Sequence, residues 1–141
     1  MHHPIRVLFV CDGNADRSQM AEALLRSAGG STFDVHSAGI DPAPVHPLAI
    51  AVIREIGIDM ASARSKHLND YIDTQFDYVI TLCEQAQKNC LDFPRDGHAL
   101  YWQCGDPAAV EGSDAHKLEA FRAVRDAIGA RVSAWIEEVR G

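Results

Sequence analysis

Apolar positions along this chain fall into short runs that alternate with stretches of helical spacing. Ile5 to Val10 is the first run and ends at a loop that begins with Cys11. Gln19 to Ser27 then repeats apolar residues at threes and fours, with Met20, Leu24 and Ala28 on one stripe, so the start reads strand, loop, helix. Thr32 to Gly39 (TFDVHSAG) is β-branched and aromatic between glycines. The Pro-rich DPAPVHP after it leads to a helix expected to turn Leu48, Val52, Ile53 and Ile56 inward. Phe76 to Cys83 reads as a buried strand and His98 to Trp102 as another, after the loop around DFPRDG. A last helix from about Asp114 to Val139 carries Leu118, Phe121, Val124, Ile128, Val132, Trp135 and Val139 on its apolar face.

Strands alternating with helices predict an α/β fold. Residues 1–141 are expected to form a single domain, a four-stranded parallel sheet with right-handed crossovers and helices on both faces. Ligands of such sheets sit at the carboxyl ends of the strands. Cys11, Cys83 and the CGDP segment at 104–107 all follow those ends, so they are expected to share one edge. Neither an internal repeat nor an interdomain linker is apparent.

Composition narrows the function classes. With 47% hydrophobic and 23% charged residues and no apolar run of eighteen, the chain is expected to be soluble and away from membranes. The start, MHHPIRVLF, lacks the apolar core of a signal peptide, which makes the cytoplasm the expected location; a monomer is the expected state. A formal charge of −7, from 13 basic against 20 acidic residues, argues against a nucleic-acid binder. Any anion site must be local. The four cysteines are expected to stay thiols in a reducing compartment unless they do chemistry.

The chemistry concentrates in CDGNADRS, residues 11–18. A strand-to-helix loop turns successive backbone N–H groups towards one centre, and the helix dipole adds positive potential there. Cys11, Asp12, Gly13, Asn14, Ala15, Asp16 and Arg17 would line this oxyanion cradle. Gly13 is expected to supply backbone freedom, Asn14 a left-handed conformation, and Arg17 a planar fork for two oxygens of a tetrahedral anion. Cys11 would be a nucleophile whose pKa falls below the free value, helped by a hydrogen bond from the Ser18 hydroxyl. Asp16 is awkward for an anion site. The expected resolution is a capping box with Gln19 that points both Asp12 and Asp16 away from the anion.

On these residues the chain resembles the low-molecular-weight protein tyrosine phosphatase superfamily. RSQMAEALL, SAGI and GID bring it closer to the thioredoxin-coupled arsenate reductases of that superfamily. The resemblance implies reduction of arsenate to arsenite, with Cys11 as nucleophile, Cys83 and Cys90 as successive resolving thiols, and thioredoxin as reductant. It implies no tightly bound cofactor. Asp106, held extended by Pro107, would be the general acid, while Ala108 after it leaves no aromatic wall for phosphotyrosine. Some relatives hold an alkali cation beside the loop, and Asn14, Glu22 and Ser37 match three of its ligands. Lys66 falls near the fourth position, so its ammonium is expected to replace the cation.

Spacing adds one consequence. In a regular helix Cys83 and Cys90 would have α-carbons roughly 10.5 Å apart, beyond the roughly 7 Å reach of a disulfide, so the segment would have to unwind to form one. Cys104 has no role in this pattern and reads as a spare thiol. A phosphatase hydrolysing phosphate monoesters is the alternative reading, and a noncatalytic thiol binder of arsenite or metal is a third.

Overall fold

The computed structural model describes residues 3–84 and 97–140. Four strands, β1 (Ile5–Cys11), β2 (Phe33–Gly39), β3 (Tyr78–Thr81) and β4 (His98–Tyr101), form one sheet in the order β2-β1-β3-β4, every pair parallel. Three described helices accompany it: α1 (Arg17–Gly29), α2 (Pro47–Arg54) and α3 (Asp114–Arg140). The central position of β1 explains its composition. Val7, Leu8, Phe9 and Val10 have no solvent exposure, as a strand covered on both faces requires.

Side-chain alternation assigns the layers. Phe33 and Phe9 point to the face packed by α3, where Phe33 meets Trp135 at a ring separation of 5.5 Å and Phe9 meets Trp102 at 5.8 Å. His36 points to the opposite face and contacts Tyr71 and Phe76 on the crossover from β2 to β3, which includes a short 3-10 turn (Leu68–Tyr71). Parallel register aligns Val10 of β1 with Thr81 of β3. Cys11 and Cys83 therefore emerge from neighbouring strands at one edge.

Two expected faces are corrected. In α1 the buried stripe runs through Ser18, Ala21, Glu22, Leu25 and Gly29, with Met20 beside it, while Ala28 is exposed and Leu24 half-buried. The polar residues Ser18, Gln19 and Glu22 are buried with hydrogen bonds to Cys11, Asn14, Ser37 and Lys66, so an apolar stripe alone misplaces the face. Gly29 is required at the end of this stripe, since a Cβ there would stand 2.3 Å from the Phe33 ring. Ile56 is 47% exposed rather than inward, because α2 stops at Arg54 and the chain turns through Gly57 at φ 85°. The strand expected over Phe76 to Cys83 is only four residues long, and β4 is a mostly exposed edge.

Candidate active site at the loop after the first strand

Loop residues 12–16 join β1 to α1, and the Pro-rich segment from Ile40 to His46 lies against them. The carbonyls of Cys11, Asp12, Gly13 and Ala15 accept hydrogen bonds from the N–H groups of Ile40, Asp41, Ala43 and His46, at 2.8–3.4 Å. A trans peptide turns its C=O and the following N–H to opposite sides. Pinning these carbonyls to the 40–46 segment thus turns the N–H groups of Asp12, Gly13, Asn14 and Asp16 to the side away from it, as an oxyanion cradle would require.

Asn14 holds the loop's shape. It is fully buried with φ at 50°, as its sequence position suggests, whereas Gly13 uses no left-handed conformation and has ordinary room for a Cβ. The glycine that matters is Gly39. A Cβ there would lie 2.7 Å from both the Asn14 nitrogen and the Asp12 carbonyl oxygen, so the end of β2 and the loop touch backbone to backbone. Asn14 Oδ1 accepts from the Lys66 N–H at 2.8 Å and from Gln19 Nε2 at 3.0 Å, which fixes its amide orientation. Its Nδ2 donates to Ser18 Oγ at 2.8 Å, and Ser18 Oγ lies 2.9 Å from Cys11 Sγ. A hydroxyl that accepts from Asn14 has its own proton left for the sulfur, so Ser18 donates to a Cys11 thiolate.

The Cys11 thiol is only 1% exposed, and its pKa is raised rather than lowered as expected. Burial is the largest cause. Ser18 hydrogen bonding and Arg17 pull it down, while Asp16 adds to the rise. Asp16 is itself a correction. Its carboxylate is buried beside Arg17, with Oδ1 accepting the Arg17 N–H at 2.5 Å and standing 3.7 Å from Arg17 Nε. No capping box forms, because Gln19 Nε2 instead spans Asn14 and the Arg64 carbonyl.

Arg17 is buried, and its Nε has no hydrogen-bond partner among the described residues. Burial disfavours its charge, but Cys11, Asp106, Asp16 and Cys83 outweigh that and raise its pKa. One guanidinium N–H reaches the Cys104 carbonyl at 3.4 Å, tying Arg17 to the Asp106 loop. An unsatisfied buried guanidinium nitrogen beside inward N–H groups fits a tetrahedral oxyanion. Cys83, buried, donates to Asp12 Oδ1 at 3.5 Å. Asp106 caps a 3-10 turn (Pro107–Ala109), with Oδ1 accepting the Ala108 N–H at 3.0 Å. Cys104 is half-buried and its pKa is pushed up to about 11, chiefly by burial. Cys90 and the expected unwinding between Cys83 and Cys90 lie outside the described residues.

A family model described as low molecular weight phosphotyrosine protein phosphatase matches residues 6–141. The chain belongs to this family. It is 39% identical over 131 residues to an arsenate reductase of Halalkalibacterium halodurans, covering 93% of this chain and 94% of that one. Its fold superposes on a thioredoxin-dependent arsenate reductase of Corynebacterium glutamicum with a TM-score of 0.78 and 31% identity. That match covers 99% of this chain, which spans 64% of the longer protein. An arginine phosphatase from Geobacillus stearothermophilus gives a TM-score of 0.81 at 28% identity, over 97% of this chain and 94% of that one.

Glu22 and Ser37, two of the residues expected to match a cation site, are engaged by protein donors. Lys66 Nζ lies 3.2 Å from Glu22 Oε1 and 3.4 Å from Ser37 Oγ, and Ser37 donates to Glu22 Oε1 at 2.5 Å. Arg26 takes the other Glu22 oxygen at 2.8 Å. Every oxygen a cation would seek already faces a donor. Gln19 was expected as a capping partner rather than as a bridge from Asn14 to Arg64, and Gly39, the N–H groups of residues 40–46 that hold the loop carbonyls and the Cys104 carbonyl were not expected from sequence. Of these only Gln19 leaves a signal, as a polar residue next to an apolar stripe.

Proposed function

We propose that this protein reduces arsenate to arsenite through a thiol relay recharged by thioredoxin. The observation that carries the reading is the pairing of buried Cys11, in a loop beside an Arg17 Nε with no hydrogen-bond partner among the described residues, with a second buried cysteine, Cys83, after the neighbouring strand. A phosphatase needs the first and has no use for the second. The arsenate reductase identity of similar proteins points the same way.

In this scheme the inward N–H groups and Arg17 hold the arsenate oxygens while the Cys11 thiolate attacks arsenic. Asp106 protonates the oxygen that leaves. Cys83 then attacks Cys11 Sγ. The electron pair of the sulfur–arsenic bond stays with arsenic, which departs as arsenite, and the two sulfurs are oxidised to a disulfide. Cys90 displaces Cys11 from Cys83, and the dithiol of thioredoxin reduces the Cys83–Cys90 disulfide. A reducing, cytoplasmic setting suits such a cycle. Lys66 serves as an internal cation in place of an alkali ion, holding Glu22 and Ser37 beneath the loop.

The test is arsenite formation with thioredoxin, thioredoxin reductase and NADPH. Steady turnover is expected in the wild type, and its loss by at least a hundredfold in each of Cys11→Ser, Cys83→Ser and Cys90→Ser. A wild type without turnover that hydrolyses an aryl phosphate or phosphoarginine, and does so equally well after Cys83→Ser, would replace the reductase with a phosphatase.

A further inference from the structure

Asp16 puts a carboxylate where an anion-binding loop has least use for one. The side chain is buried, and Oδ1 accepts the Arg17 N–H at 2.5 Å while lying 3.7 Å from Arg17 Nε. A carboxylate that merely caps a helix takes the N–H of the second or third helical residue. Here those are Ser18 and Gln19, yet the bond goes to Arg17, the first residue of α1. The carboxylate is therefore folded back against the loop. The helix's first N–H groups have no partner within the helix and are the donors an anion uses. Asp16 occupies one of them and stands beside the guanidinium nitrogen that lacks a partner.

We propose that Asp16 is a specificity-determining residue, an internal carboxylate that competes with the incoming tetrahedral oxyanion for the Arg17 N–H and guanidinium. The inference rests on the reading of residues 11–17 as an oxyanion loop. Its consequence is electrostatic. A dianion entering the cradle must take the Arg17 N–H from Asp16 and share the guanidinium with a like charge, so the loop binds phosphate and arsenate weakly and disfavours the more highly charged form.

Asn and Ser cap helices about as well as Asp. Asp16→Asn and Asp16→Ser thus retain the cap and remove only the charge. Inorganic phosphate is the probe, in the full chain, with its dissociation constant read by calorimetry and by protection of Cys11 from iodoacetamide, followed by mass spectrometry of the Cys11 peptide. Both variants are expected to bind phosphate at least tenfold more tightly than the wild type, with unchanged melting temperature. Affinity within twofold of wild type in both variants, or weaker, would overturn the proposal and leave the oxyanion loop standing. Protection by phosphate that survives Arg17→Ala would remove the oxyanion loop itself, and the role of Asp16 with it.

Discussion

Lys66 links two networks through different atoms. Its backbone N–H holds Asn14 Oδ1, and its ammonium holds Glu22 and Ser37, so one residue ties the loop to α1 and β2. The chain from Lys66 through Asn14 and Ser18 ends on Cys11 Sγ. Turnover is accordingly expected to be the same in potassium chloride and choline chloride at equal ionic strength. Lys66→Ala should lower it about tenfold and make it respond to potassium. Several-fold potassium activation of the wild type would disprove the internal cation. At this scale the candidate group was legible as a cluster, because Cys, Arg and Ser at this spacing have few other uses together. The protonation of Cys11 was not, since burial and the Asp16 carboxylate are properties of the folded site.

The end of β2 and the Ile40–His46 segment support the loop from outside, and the order of elements makes this possible. Parallel pairing of Cys11 with Gly39 places the two strand ends side by side, so the chains leaving them run in contact. Gly39→Ala forces its Cβ against the Asn14 nitrogen and the Asp12 carbonyl, where backbone rather than a flexible side chain must yield. A loss of roughly 1–3 kcal/mol of stability is expected from such overpacking. Phosphate affinity should fall at least tenfold in the folded protein. A variant that melts lower while binding phosphate normally would show that the contact supports the strand and not the cradle. Strand positions were legible from apolar runs. The buried face of α1 was not, because Ser18, Gln19 and Glu22 are buried through hydrogen bonds to residues outside the helix and break the apolar stripe.

Across the whole molecule, α3 fastens the sheet through aromatic contacts. Trp135 meets Phe33, Tyr78 and Trp102 with ring separations of 5.5, 5.0 and 6.0 Å, so one side chain bridges β2, β3 and the segment after β4. Arg131 lies 5.5 Å from the Trp102 ring on the same side. Trp135→Ala is expected to cost about 3–5 kcal/mol by leaving a cavity. Urea unfolding with an unchanged slope and a lower midpoint would register it. A loss under about 1 kcal/mol would mean that the cluster collapses to fill the space. Among the described residues no helix is long and apolar enough to cross a membrane.

Periodicity and spacing by themselves determined the succession of strands and helices, the parallel sheet and Cys11, Arg17 and Ser18 as a group to test, to which the family resemblance added Asp106. These depend on local rules, namely which residues can line a strand, open a helix or follow a turn. Only the tertiary structure decided that Asp16 faces Arg17, that Gly39 rather than Gly13 is sterically required, and that the Lys66 N–H bonds Asn14 while its ammonium meets Glu22 and Ser37. Each of those joins residues up to fifty-two positions apart or depends on the direction a side chain takes once its surroundings are packed. Local patterns carry no information about such distances.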